Sequence, residues 1–317
     1  VNTRLLDHAA QVSRAGCGGL GYGATRGRAF ARPFRGVLTE SAATMGIVER
    51  AFACSLVLPS EAWFSHSTAA LLHGLPLPRA LEEGPLHVTV PPPMRASRLH
   101  GVVGHARAWP VVPCAEAFFD SAFREPLPLR VEDPAVVLFS CAELLDVPDL
   151  VALGDAILLQ THSGIRESWS ALQAASARRA GGARFRRALP LLREGVRSRA
   201  ESLLRLQIRE AGLPEPVVAH PISGDGWLQH PDLAWPEFRV LIEYEGDEHR
   251  TSPRRFASDI RRMERYDDAA WSALRLTRRD VYVDPDGAMA RIESRLRRAG
   301  WRSPRRWSRR ATLRVIP

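Results

Sequence analysis

The most informative stretch of the chain is residues 231–246, PDLAWPEFRVLIEYEG. Two strand-like runs, WLQHPDLAWP (227–236) and RVLIEYEG (239–246), flank a tight turn at Trp235-Pro236-Glu237-Phe238. In the second run Val240 and Ile242 alternate with Leu241 and Glu243, the period of a strand. Folding the runs antiparallel about the turn sets Asp232 opposite the region Val240–Glu243, and Glu243 and Glu245 fall on one strand face. Three acids then converge on one edge of a sheet. Like charges raise each other's pKa, and burial adds a desolvation penalty. A divalent cation removes the conflict. Mg²⁺ (or Mn²⁺) takes oxygen ligands and keeps several waters, so one or two carboxylates plus a substrate phosphate suffice. Such an ion polarises a phosphodiester and lowers the pKa of water. Asp232 and Glu243 are therefore the candidate metal ligands. The competing reading makes them surface acids paired with Arg239, Arg250 or Arg254, although an unpaired Glu243 inside an apolar strand is unexpected.

Outward from this hairpin the pattern is regular. Before it, Ser198–Ala211 carries Leu203, Leu204, Ile208 and Ala211 at helical spacing and stops at Gly212, with Pro214 just beyond. PVVAHPI reads as a strand and GDG as a turn. After the hairpin, a long helix is expected over Pro253–Ala270, a strand at SALRLT and a last helix at DGAMARIESRLRRAG. The order α-β-β-β-α-β-α predicts a central mixed sheet flanked by helices.

Pro231-Asp232 followed by Glu243-Tyr244-Glu245 resembles the PD-(D/E)xK signature of restriction-endonuclease-like nucleases. The longer string PDLAWPEFRVLIEYEGDEH, preceded by ESLLRLQIREAGLPEPVVAHPI and followed by FASDIRRMERYDDAAWSALRLT, resembles the domain-of-unknown-function 559 family, which is related to the very-short-patch mismatch-repair endonucleases. The resemblance spans roughly residues 200–300. It implies a metal-dependent nuclease in which Asp232 and Glu243 bind the ion and Glu201 is an outer acid acting through water. His249 would be a proton-transfer group, and Asp259 and Arg262 would orient the site or contact phosphate. Glu245 stands where many members carry lysine. No lysine occurs anywhere in this chain, and arginine, with a pKa above about 12, cannot replace it as a proton acceptor. Glu245 would then bind a second ion or act as the base, or the site is inactive. Glu201 and Asp259 also admit a plainer reading, as a helix-face charge and a salt bridge to Arg261 or Arg262.

The polar segment LREGVRSRAE marks a domain boundary near residue 195, giving regions 1–45, 46–195 and 196–317. The first is read as poorly ordered or a degenerate winged-helix remnant, with a short strand near Phe34–Leu38. The second is read as a mainly helical α+β region. Its helices are expected over 42–57, at SHSTAALLHG with Ser65 or Ser67 as N-cap, over Cys114–Phe123, on either side of Val147-Pro148, and at RESWSALQAAS and ARFRRALPLL. Its strands are LHVTVPPP and LHGVVGHAR. Ser65-His66 and His73 are read as isolated and structural, since nucleophile activation needs a base and an orienting group. The strings FRGVLTE, AFACSLVLPSEAWFSHSTAALLHGLPLP and LHVTVPPP resemble AbiEi-type antitoxin regions, which implies DNA binding and a toxin-type partner.

Composition sets the outer limits. The 317 residues carry a formal charge of +9, and all 44 basic residues are arginine. From Arg250 onward there are 19 arginines against 8 acids, a density that suits a polyanion through counterion release. Arg254, Arg255, Arg261 and Arg262 are the candidate DNA contacts. No apolar run approaches the roughly 20 residues of a membrane span, and the first residues show no secretory signal. A cytoplasmic protein without membrane partners is expected, with Cys17, Cys54, Cys114 and Cys141 as reduced, mostly buried thiols. Two functions follow as expectations: a metal-dependent DNA endonuclease, or an inert DNA-binding antitoxin or transcriptional regulator on the same fold.

Overall fold

The computed structural model describes residues 30–35, 37, 39–40, 45–107, 114–118, 127–160, 164–175, 179–246 and 253–303. It is a mixed α+β protein that divides into two compact units. One comprises residues 1–144 and 168–181, the other 145–167 and 182–317. Residues 145–167 and 182–195, which composition groups with the N-terminal region, thus belong to the C-terminal unit.

The N-terminal unit opens with β1 (Phe30–Ala31) and β2 (Thr39–Glu40), paired antiparallel. Between them, where a strand is predicted at Phe34–Leu38, Val37 N–H donates to Phe34 O in a turn. Then follow α1 (Ile47–Ser55), β3 (Trp63–Phe64), α2 (His66–Leu72), α3 (Arg79–Glu82), β4 (Leu86–Val90), β5 (Val102–Ala106), β6 (Cys114–Phe118), β7 (Leu127–Val131) and α4 (Pro134–Cys141). The strands form one mixed sheet in the order β5-β4-β3-β7-β6. β4 is buried along its whole length, its polar His87 and Thr89 included. Helix α2 ends at Gly74, whose φ of +68° favours glycine. The helix predicted over Cys114–Phe123 is instead strand at Cys114–Phe118. Its Ala- and Glu-rich composition favours helix, but its backbone is consumed in antiparallel pairing with β7, from Cys114↔Val131 to Phe118↔Leu127. Over residues 46–195 helix still outweighs strand, as the mainly helical α+β reading expects, although the sheet has five strands where the sequence suggested two.

The C-terminal unit continues with α5 (Val147–Gln160), α6 (Ile165–Ala175, which spans the division), α7 (Gly182–Ala188) and α8 (Arg199–Glu210). Next come β8 (Val217–Val218), β9 (Ile222–Gly224), β10 (Trp227–Gln229), β11 (Leu233–Trp235) and β12 (Val240–Glu245). The chain closes on α9 (Pro253–Asp268), β13 (Ser272–Thr277), α10 (Arg278–Tyr282) and α11 (Pro285–Arg298). The main sheet runs β13-β12-β11-β8, and β9 and β10 form a separate ribbon. The runs PVVAHPI and WLQHPDLAWP, each predicted as one strand, are therefore split. Each break coincides with a proline, Pro221 and Pro231, which cannot donate to a ladder. β12 pairs antiparallel with β11 and parallel with β13, and α9 is the crossover that a parallel pair requires.

The two faces of this sheet differ. Leu233, Trp235, Val240 and Ile242 share a core with Leu203, Leu204 and Ile208 of α8 and Met289 and Ile292 of α11. The opposite face carries Ala234 and Leu241, packed with Tyr266 and Met263 of α9. Inside the unit, Arg205 of α8 and Asp155 of α5 form an ion pair at 3.1 Å with both side chains 1% exposed. Among the described residues, no helix is long and apolar enough to cross a membrane.

Candidate active site

The register of β11 on β12 pairs Leu233 with Ile242 and Ala234 with Leu241. One step further, Asp232 stands opposite Glu243, and directly opposed residues project to the same face. That face is the one covered by α9. Asp232 Oδ2 accepts the backbone N–H of Tyr244 at 2.7 Å, which ties the carboxylate, just ahead of β11, to the neighbouring strand β12. Glu243 is 7% exposed. Its Oε1 accepts the Tyr266 hydroxyl at 2.7 Å and the Arg262 guanidinium at 3.3 Å, and the two donors lie four residues apart on one face of α9.

Glu201 reaches the same neighbourhood from the first turn of α8. Ser198 caps that helix by accepting Glu201 N–H. Glu201 accepts the Ser198 hydroxyl at 2.8 Å and Arg197 N–H at 3.0 Å, a variant of the Ser-x-x-Glu capping box. The helix cap therefore fixes the orientation of a buried acid that feels the charge of Asp232. Burial raises the pKa of all three carboxylates; the negative charge of Asp232 raises Glu201 and Glu243 further. Tyr244 N–H, Arg262 and Arg197 act in the opposite direction on Asp232. The outcome is three buried acids whose burial and mutual repulsion are offset in part by Arg262 and Arg197.

The remaining candidates are placed differently. Glu245, on the same strand face as Glu243, is ion-paired with Arg275 of β13. Asp259 and Arg261 lie on α9, half-buried and exposed respectively. Arg254 and Arg255 are in the first turn of α9, with side chains outside the described residues, and His249 lies wholly outside them. Sequence reasoning missed Tyr266 and Arg197. The only signal for Tyr266 was its four-residue spacing from Arg262.

The donors at Asp232 and Glu243 are of the type that a hard divalent cation takes. The ligands are all oxygen, the carboxylates face one another across paired strands, and their mutual repulsion is what a positive charge relieves. Among the described residues, the tight cluster with three ligand atoms within 4.8 Å of one another lies elsewhere, at His66, His87 and His105. His66 is therefore not isolated, as its sequence neighbourhood suggested. Its partners come from two strands far along the chain.

No family model matches the chain, and no solved structure matches it. Two proteins of Mycobacterium tuberculosis do: "Uncharacterized protein MT2308" of strain CDC 1551 / Oshkosh and "Uncharacterized protein Rv2248" of strain ATCC 25618 / H37Rv. Each is 31% identical over 167 residues, which is 52% of this chain and 61% of the relative. The chain thus spans about three fifths of the length of these curated relatives.

Proposed function

We propose that the C-terminal unit is a metal-dependent endonuclease of the restriction-endonuclease-like, PD-(D/E)xK type, akin to the domain-of-unknown-function 559 family, and that it hydrolyses DNA phosphodiester bonds. The observation that carries this reading is the opposition of Asp232 and Glu243 on one sheet face, with the charge of Asp232 raising the pKa of Glu243 and of Glu201. Asp232 and Glu243 would hold Mg²⁺ or Mn²⁺. When bound, that ion supplies charge stabilisation to the phosphate and lowers the pKa of a water. The Tyr266 hydroxyl and Tyr244 N–H fix the two carboxylates in place before substrate arrives, the preorganisation that electrostatic catalysis depends on. Arg261 and Arg262 on α9, with the arginines that follow, supply the positive field that draws a polyanion in.

A second reading rests on a specific contact. Glu245, at the position of the motif lysine, is tied up by Arg275, and Arg262 already sits on Glu243. A site whose acids are answered by guanidinium groups is also what an inert DNA-binding platform would carry, as in an AbiEi-type antitoxin or transcriptional regulator with a toxin-type partner. A supercoiled-plasmid nicking assay in Mg²⁺ and in Mn²⁺ separates the two. The nuclease reading expects nicking by the native chain, reduced at least 100-fold by Asp232→Asn or Glu243→Gln and abolished by chelation. Salt-sensitive DNA binding without any nicking would establish the inert platform instead.

A further inference from the structure

We propose that His66, His87 and His105 in the N-terminal unit form a binding site for a late first-row divalent ion of the zinc class. The three side chains come from three elements. His66 opens α2, directly after β3. His87 lies in β4 and His105 in β5, whose parallel register pairs His87 with Val103 and Thr89 with His105. The two strand histidines are thus diagonal neighbours on one face.

The geometry is close to what ligation needs. One ring nitrogen from each histidine lies within 4.8 Å of the others. His87 Nδ1 and His105 Nε2 are hydrogen-bonded at 3.0 Å, near the roughly 3.4 Å between two nitrogens on a tetrahedral zinc with Zn–N bonds of about 2.0–2.1 Å, so an ion would replace the proton they share. His66 is 0% exposed, and its Nε2 has no hydrogen-bond partner. Buried polar atoms left in that state are rare in folded proteins. Its other nitrogen, Nδ1, is 2.9 Å from Ser65 Oγ, which accepts the Thr89 hydroxyl at 2.7 Å. A hydrogen bond on the non-ligating nitrogen is what orients a metal-bound imidazole and fixes its tautomer. His66 also adopts φ of +51°, a costly conformation for a residue with a side chain, of the kind that persists where surrounding structure enforces a functional placement.

Donor type is compatible with such an ion: three imidazoles, beside an Arg107–Glu143 pair whose charges offset each other. Glu143 Oε2 is 4.0 Å from His66 Nε2 and is held by Arg107 at 2.6 Å, which places a carboxylate within reach of a fourth position. Three imidazoles with no thiolate select zinc, cobalt, nickel or copper over magnesium and calcium. This distinguishes the site from the carboxylate cluster of the other unit. The rings of His66 and His105 are stacked at 4.0 Å, and ligation requires that stack to splay.

The test is a Co²⁺ titration of the full chain after chelator treatment, read by visible absorption and repeated with Zn²⁺ as competitor. Asp232→Asn/Glu243→Gln is the background, so that the carboxylate cluster does not contribute. One equivalent of Co²⁺ with the intense bands of tetrahedral nitrogen ligation, displaced by Zn²⁺, is expected. Affinity should fall at least 10-fold in His87→Gln and in His105→Gln and stay unchanged in His73→Gln, with circular dichroism confirming that each variant is folded. Absence of stoichiometric uptake, or uptake indifferent to both strand-histidine variants, overturns the proposal. Should those variants not fold, X-ray absorption of the cobalt-loaded background protein decides: imidazole scattering supports the site, and an oxygen-only shell overturns it.

Discussion

Glu201, Asp232 and Glu243 carry charge into a place with little water, and each is met by fixed donors: the Ser198 hydroxyl, Tyr244 N–H, the Tyr266 hydroxyl. Cys54 meets the same problem without a donor. Burial alone pushes its thiol from 9.0 up to about 12. A raised thiol pKa means that the folded state keeps its proton while the unfolded chain ionises. The stability from this group is therefore fully present below about pH 9 and is lost as pH climbs toward about 12. In the native chain, alkylation of Cys54 by iodoacetamide, followed by peptide mass spectrometry, is expected to be negligible at pH 9, where a free cysteine reacts readily. Reaction there at the free-thiol rate would contradict its placement in the core. At this scale the sequence was informative where a residue's type clashed with its surroundings. Glu243 stood out because an acid interrupted an apolar strand. His66, His87 and His105 did not, because each sits singly in an ordinary segment and only the packing of β3, β4 and β5 unites them.

Local period decided which elements could be read. β12 is an apolar run between turns interrupted by an acid, so its existence and its hairpin with β11 followed from the sequence, while the burial of both its faces and the register Leu233↔Ile242 did not. β6 has helical composition, and nothing local reveals that β7 claims its backbone. The association of α5 with α8 was equally hidden, because Asp155 and Arg205 are separated by 50 residues and charge in an apolar helix carries no address. That pair makes a firm demand. Arg205 is 1% exposed, and Asp155 also accepts the Ser202 hydroxyl at 2.7 Å and Arg193 N–H at 2.7 Å. Asp155→Ala leaves the buried Arg205 guanidinium with only Leu191 O at 2.7 Å and Glu215 at 3.9 Å, and is expected to cost about 3 kcal/mol in urea unfolding. Adding Arg205→Met should recover part of that loss, since no buried charge then remains, while Arg193 N–H and the Ser202 hydroxyl still lack their acceptor. A single variant within 1 kcal/mol of the native chain, on the order of a surface substitution, would mean that the pair is not buried as described. A chain cut at residue 196 loses Asp155 altogether and should show the same deficit.

For the whole molecule, the dominant feature is the segregation of charge: the excess of arginine lies from Arg250 onward, on and after the helix that covers the acids. Phosphate contacts of this kind are read by salt. Arg261 is exposed on α9, so Arg261→Ala should weaken DNA binding a few-fold for all sequences alike and reduce the slope of log K against log salt by about 1. Fluorescence anisotropy across a salt series measures both, and an unchanged slope would remove this face of α9 from the interface. Mixed α+β architecture was legible at this scale, while the division of the chain was not, since residues 145–167 join the C-terminal unit by contacts that no composition shift announces.

The bond from the Tyr266 hydroxyl to Glu243 has a practical side. Any ion that draws on Glu243 Oε1 must compete with a phenol for the same lone pairs, so occupancy is written into the electronic state of one aromatic ring. The chain has only four tyrosines. Fluorotyrosine labelling would therefore give a sparse ¹⁹F spectrum in which a single resonance works as a gauge of ligation, readable without substrate and without turnover.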